Sequence, residues 1–417
     1  SGQLVGDGSL TLENVDGLAT PWKVLGIISL PDTSTFREQT LTGNNTYTGG
    51  TTVKAGALLQ IDSAANLGTG SITLNNGALA VTGSSFDRDI HLAGNVGILQ
   101  TTGNLDLNGA LIGSADFLKT GSGTLTLHND SPGMSGNMVV AGSGSILAMD
   151  RATELGSGSL ILMNGGGLQA LANMTGPNGL SNGMQLASGI GIVDTGTFNM
   201  EVDGNVSGPA ALAAALGTTG QLQKNGSGNL LLTGNVDLNG GIAVTAGSVQ
   251  LGNGDTGGTV NASVDISTGA ALLVNRNNSL TLSQPISGAG VVVKQGSGLL
   301  QLVGSNSFSG GLTVNEGYVS GNSDAAYGTG TILLDGGGLQ LASDLSRNVE
   351  LGSNNGSLQV AGTDSHTFSG QLTGAGNLIK TGTGTLVYTC SGSKTLGLEV
   401  AAGTLQVGCR QAGTLLG

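Results

Sequence analysis

The chain has 417 residues, of which 78 are glycine, 6 are proline and 3% are aromatic. Without a Gly-X-Y period this composition excludes collagen and leaves strands joined by glycine turns. A net charge of −13, from 13 basic and 26 acidic residues, offers no basic stripe for nucleic acid and no polybasic surface for anionic lipid. A mean hydropathy of +0.18, with Leu, Val and Ile regularly placed, argues for a buried core rather than disorder. No apolar run is long enough to cross a bilayer and no charged-then-apolar leader opens at Ser1, so the chain reads as a mature or excised soluble segment.

In chain order, residues 1–36, with Pro21-Trp22 and Pro31, match nothing downstream and form an N-terminal cap or irregular first coil. A repeat then begins. Its clearest phrase is Lys119-Thr-Gly121-Ser-Gly123-Thr-Leu125-Thr-Leu127, which returns from Lys224, Lys294 and Lys380. The lysines stand 105, 70 and 86 residues apart. From each, a valine follows at one distance (Val139, Val244, Val314, Val400) and a glycine three residues later. Val53 and Gly56 imply an earlier unit starting near Thr33, its lysine replaced. A second phrase, Leu67-Gly68-Thr-Gly70, recurs as Leu155-Gly156-Ser-Gly158 and as Tyr327-Gly328-Thr-Gly330.

Inside each unit the leucine pair recurs 19 residues on, as Leu386 and Tyr388 do at Leu405 and Val407. Apolar residues alternating with small polar ones mark strands with one buried face. Short strands repeating at about 19–22 residues predict an all-β fold, a right-handed three-stranded parallel β-helix. About twenty coils, each rising roughly 4.8 Å, make an elongated rod on the order of 100 Å. The β-helix repeats cover 37–373, and 374–417 form the C-terminal coils.

Two interruptions stand out. The interval of 70 reads as a coil lost. Ten residues are inserted before Lys224, in Pro209-Ala-Ala-Leu212-Ala-Ala-Ala-Leu216-Gly-Thr, the one strongly helix-favouring stretch, which predicts a protrusion near 209–218. Function, if local, is expected at such interruptions, so Pro209, Leu212 and Leu216, with the following polar run Asn235, Asp237 and Asn239, form the candidate interaction surface. The wider ladders of Asn, Thr, Ser and Asp either solvate the outside or make weak, repeated contacts to an identical chain.

Cys390 and Cys409 are 19 residues apart, one coil, and stacking places their Cα atoms about 5 Å apart. They read as a disulfide formed in an oxidising compartment or as two buried thiols. His91, His128 and His366 share no pattern, and two cysteines with scattered histidines make no metal site. Asp87-Arg88-Asp89 could pair carboxylates for sugar chemistry, but neighbouring coils add no acids in phase and Trp22 alone makes no sugar platform. Gly252-Asn-Gly254-Asp255-Thr-Gly257-Gly258 is one isolated copy of a calcium-loop-like pattern and reads as a turn. No serine-nucleophile motif occurs, and no catalytic residue, metal or cofactor is expected.

The run Asn45-Thr-Tyr47-Thr-Gly49-Gly50-Thr-Thr-Val53, repeated as Asn306-Ser-Phe308-Ser-Gly310-Gly311-Leu-Thr-Val314, together with the KxGxGxLxL phrase, resembles the passenger-associated repeats of type V autotransporters. The resemblance spans about residues 37–408. It implies an AIDA-like, self-associating adhesin passenger, exported through the periplasm and displayed on a Gram-negative surface, with its C-terminal outer-membrane barrel missing from this sequence. It further implies autoaggregation, biofilm formation or adherence, with identical passengers on neighbouring cells or host matrix and cell-surface receptors as partners, and heptose on Ser or Thr in some members. By resemblance, about residues 374–410 act as a folding nucleus during secretion. The alternatives are a β-helical polysaccharide lyase or hydrolase and a scaffold for an effector domain outside this segment; the expected chain is not an enzyme. For the cysteine pair, the intact mass without reductant should show no alkylatable thiol; two labelled cysteines would exclude the disulfide.

Overall fold

A computed structural model describes residues 3–13, 36–208, 219–389 and 397–408, and the backbone of 22–25 and 28–31. Parallel strands stack as a β-solenoid of about eighteen turns. Helix among the described residues is limited to short 3-10 turns such as Ala64–Asn66, Ala152–Leu155 and Asp324–Tyr327. Coil spacing varies along the stack. Partner strands lie 18 residues apart at Ile72 and Ile90, 20 at Ile98 and Leu118, and 24 at Leu160 and Met184.

The chain forms two compact units, Ser1–Leu230 with Asp237–Gly241, and Leu231–Val236 with Ile242–Gly417. In the first, Ile72–Asn75, Ala78–Val81 and Ser85–Phe86 make one coil, and each strand pairs with its successor in Ile90–Ala93, Val96–Thr101 and Leu105–Leu107. Three strands per coil are thus present. The N-terminal stretch joins this stack: Leu10–Leu12 lies parallel to Thr51–Val53, whereas Trp22–Leu25 and Ile28–Pro31 pair antiparallel. One column also buries its outer side. Ala78, Ile98, Leu118, Val139 and Ile161 stack in register on the side opposite Leu79, Leu99 and Phe117, yet are 0–4% exposed. That double burial explains near-continuous apolar runs such as Leu160–Met163, where alternation is lost.

The second unit repeats the plan. Val349–Leu351, Gly356–Gln359 and Ser365–Phe368 stack beneath Leu372–Gly374, Leu378–Thr381 and Thr385–Tyr388. Phe368 and Tyr388 stack ring on ring at 5.3 Å. Leu398–Val400 and Thr404–Val407 continue the parallel order toward the C-terminus.

The repeat lysines point inward and are 0–1% exposed. Lys119 stacks between Leu99 and Val140, Lys294 between Val274 and Val314, and Lys380 between Leu358 and Val400. The valine above Lys119 is therefore Val140; Val139, matched by spacing alone, faces outward because this coil is one residue longer. Each ammonium reaches the corner that follows its own strand. Lys119 Nζ donates to the carbonyls of Thr120 (3.2 Å), Gly121 (3.2 Å) and Gly123 (2.8 Å) and to Ser145 Oγ (3.1 Å). Lys224 Nζ donates to Asn225 and Gly226, Lys294 to Gln295, Gly296 and Glu316, and Lys380 to Thr381, Gly382 and Ala402. Burial pushes the Lys119, Lys224 and Lys294 ammonium groups down to about 8 and lowers Lys380. The surrounding carbonyl dipoles favour the charged form.

The glycines of the phrase serve the same corner. Gly121 has φ +83°, and a Cβ there would stand 2.1 Å from the Thr101 carbonyl oxygen. Within each unit the two lysines lie on different columns. The Lys224 strand continues the column of Leu125 and Leu127 through Ile146–Met149, Gly167–Ala170 and the second half of Met184–Asp194. Likewise, the Lys380 strand continues the column of Leu300 and Leu302. The repeat is not a whole number of coils.

Strand pairing resumes in register after the insertion before Lys224. Val193 pairs with Lys224 across 31 residues, eleven more than the 20 that separate Leu99 from Lys119 and Val274 from Lys294. Residues 209–218 lie outside the described residues. Lys294→Met, which keeps the aliphatic stem and removes the donors, should lower stability by about 1–3 kcal/mol in urea unfolding; an unchanged or higher midpoint would mean the ammonium does not hold the corner.

Candidate functional site

Most polar groups singled out by sequence serve the stack. Arg88 Nη1 donates to the Gly68 carbonyl at 2.5 Å, one coil back, closing the corner of the second phrase. Arg347 does the same at Gly328 and Gly330, and Asn182 at Gly156 and Gly158. The flanking acids are also engaged: Asp87 accepts from Asn108 Nδ2 at 2.5 Å and Asp89 from the Ala110 amide at 2.8 Å. Asp87-Arg88-Asp89 is thus a corner brace, not a pair of carboxylates aimed at a substrate.

The Gly252–Gly258 turn encloses a cation, and that cation is a side chain. Arg276, 4% exposed, donates to the carbonyls of Thr256, Gly257 and Gly258 and to Asn278 Oδ1. Glycine carbonyls that could have faced calcium are taken by guanidinium. Nothing in the turn itself indicates this, since the arginine comes from the next coil.

The asparagine and aspartate ladders are similarly occupied. Asp116, Asn137, Asp335, Asn348 and Asn355 each accept, through a side-chain oxygen, a backbone amide one coil on. Buried Asn306 receives the Ile286 amide at 2.8 Å and donates to the Ala326 carbonyl at 2.6 Å, tying three coils together. Asn45 has the same place in its phrase, accepting from Leu4 and donating to Asn66.

Of the candidate interaction residues, Asn235, Asp237 and Asn239 are exposed. Asn235 nevertheless accepts from the Thr259 amide and hydroxyl at 2.9 and 3.0 Å. Pro209, Leu212 and Leu216 lie outside the described residues, as do Cys390 and Cys409, so the structure does not describe the disulfide. His128 lies 3.2 Å from Asp106, and His366 3.9 Å from Asp344; they do not converge. Among the described residues no group of three or more His, Cys, Asp or Glu could hold a metal ion.

Two features escaped the sequence reading. Acids do gather in phase on adjacent coils: Arg151 contacts Asp130 at 2.7 Å, Asp150 at 2.6 Å and Glu154 at 3.3 Å. The arginine fills the centre of that cluster. The second feature is a pocket of about 140 Å³ in the first unit. Gly167 stands in register between Ile146 and Ile192, and the missing side chain opens a notch bordered by Gln169, Asp194 and Asn225. A Cβ at Gly167 would come no closer than 3.5 Å to any neighbour, so backbone geometry does not require glycine.

The repeats, the parallel coils and the inward lysines define a parallel β-solenoid. The model of the passenger-associated-transport-repeat matches residues 38–61, 117–142, 222–251 and 292–320. Over 478 aligned residues, 97% of this chain, it is 28% identical to the adhesin BmaC autotransporter of Brucella suis biovar 1 (strain 1330). It is 29% identical over 168 residues, 40% of the chain, to the uncharacterized lipoprotein YdeK of Escherichia coli (strain K12). The chain spans only 14% and 11% of those two proteins. No solved structure matches it. The chain thus carries passenger-associated-transport repeats and is similar along nearly its whole length to an autotransporter adhesin. Arg347→Ala, which strips two corner carbonyls of their donor, should cost about 1–3 kcal/mol in thermal unfolding; no change would show that solvent replaces the guanidinium freely.

Proposed function

We propose that the chain is an adhesive, non-enzymatic segment of an autotransporter, exported across the outer membrane and displayed on a bacterial surface. The observation that carries this is the match along 97% of the chain to an adhesin autotransporter. The engagement of Asp87, Asp89 and the Arg151 cluster in structural contacts supports the non-enzymatic reading. The partners are identical passengers on neighbouring cells, or matrix and receptor proteins of a host.

Contacts of this kind draw on exposed side chains. Asp237 and Asn239, on one side of the strand Val236–Val244, and the Gly167 notch, apolar at its base and polar at its rim, are the places a partner would engage. Displayed on a non-aggregating cell, the segment should cause settling or retention on immobilised matrix protein, and mixing bearing with bare cells separates the two. Gly167→Val should fill the notch, leave display unchanged and reduce binding. Cells that bear the segment yet stay dispersed and unbound would overturn the adhesive reading.

A further inference from the structure

Of the three 3-10 turns that open the second phrase, one carries a neutral carboxamide and one a carboxyl at the same buried position. In the neutral one, Asp62-Ser63-Ala-Ala-Asn66-Leu67-Gly68, Asn66 Oδ1 accepts the amides of Asp62 (2.9 Å) and Ser63 (3.1 Å), and its Nδ2 donates to the Gly43 carbonyl at 3.1 Å. Both ends of the carboxamide are used. In the carboxyl one, Asp150-Arg151-Ala-Thr-Glu154-Leu155-Gly156, Glu154 takes the place of Asn66 and is 0% exposed. Its Oε2 accepts the Asp150 amide at 3.3 Å, matching the Asp62 contact. Its Oε1 is buried without a hydrogen bond. Arg151 Nη1 lies 3.3 Å from Oε1, while Nη1 and Nε are hydrogen-bonded to Asp150 and Asp130.

A carboxylate is thus held where the sibling turn holds a group that both accepts and donates. A protonated carboxyl has that same capacity, whereas an ionised one has none to donate. We propose that Glu154 is a proton-holding group whose neutral form this turn accommodates, making Asp150–Gly156 a pH-responsive joint that is firmer in mild acid than above neutrality.

The charged groups facing Glu154 are Asp150 and Arg151 on its own turn and Asp130 on the coil before; His128 of that coil offers Arg151 only its carbonyl, its ring facing Asp106. Residues 160–183, which form the coil after it, contain no titratable side chain. Desolvation, with Asp150 adding to it, pushes the carboxyl up to about 7, while Arg151 and the Asp150 amide act in the opposite sense. The sign follows from linkage. Between about 4.5 and 7 the folded chain binds the proton that the unfolded chain releases, so this contribution is complete below the lower value and is lost as pH rises through the upper one.

The intact passenger, labelled with 13C at glutamate carboxyls, should show Glu154 titrating near 7 rather than near 4.5, the ordinary value. Arg151→Gln should move that titration further upward, which a merely structural arginine would not do. Amide exchange of residues 150–156, corrected for intrinsic rate, should slow about tenfold or more from pH 8 to pH 5.5 in the native chain. In Glu154→Gln it should be slow at both pH values. A Glu154 carboxyl titrating near 4.5, or equal pH dependence in both chains, would overturn the proposal; should the Gln variant not fold, the carboxyl titration of the native chain still decides it.

Discussion

An ammonium group held inside a coil by the carbonyls of its own corner is the contact on which this architecture turns. A parallel strand can pass its amides and carbonyls to the coils above and below, but a tight corner cannot. Its carbonyls turn toward the interior, where water does not reach. Lys119, Lys224, Lys294 and Lys380 carry their charge down an aliphatic stem stacked among leucines and valines and deliver it there. Neither partner would be stable alone: the charge would be desolvated and the carbonyls unpaired. The glycines complete the arrangement by letting the backbone turn within van der Waals reach of the coil beneath.

Backbone groups left unpaired at other corners are met from different directions. Lysine answers from within its own coil. Arg88, Arg347 and Arg276 answer from the next, and asparagine and aspartate answer along the rim by receiving amides one coil on. A chain that is only 9% charged therefore spends much of its charge internally. Apparent surface polarity overstates what is left for recognition, because an oxygen already accepting an amide has less to offer a partner.

The fold was legible because strand alternation and a fixed return distance are properties of the sequence itself. Three strands per coil, parallel pairing and the likeness to passenger-associated repeats could be read from the lysine-glycine phrase. The purpose of its lysine could not. A charged residue at the start of a glycine turn ordinarily faces solvent, and nothing local says that the corner carbonyls point inward. Arg276 shows the same limit: its partners, Thr256 to Gly258, are distant in sequence and become neighbours only through stacking. Val139 shares the spacing of the other valines but not their side of the strand, since one added residue reverses which side a side chain occupies. The Gly167 notch was invisible because it consists of an absent side chain between two isoleucines on other coils.

Because the repeat exceeds a whole number of coils, each unit sets its two lysine phrases on different columns. Duplication in such a chain rotates what it copies. A surface residue that gained a contact in one copy would face another way in the next, and a partner approaching from one direction would meet unlike copies. Repetition here conserves the interior while diversifying the exterior. Two nearly identical stretches of sequence can thus share a core role and evolve separate outward ones, without either disturbing the ladder that both depend on.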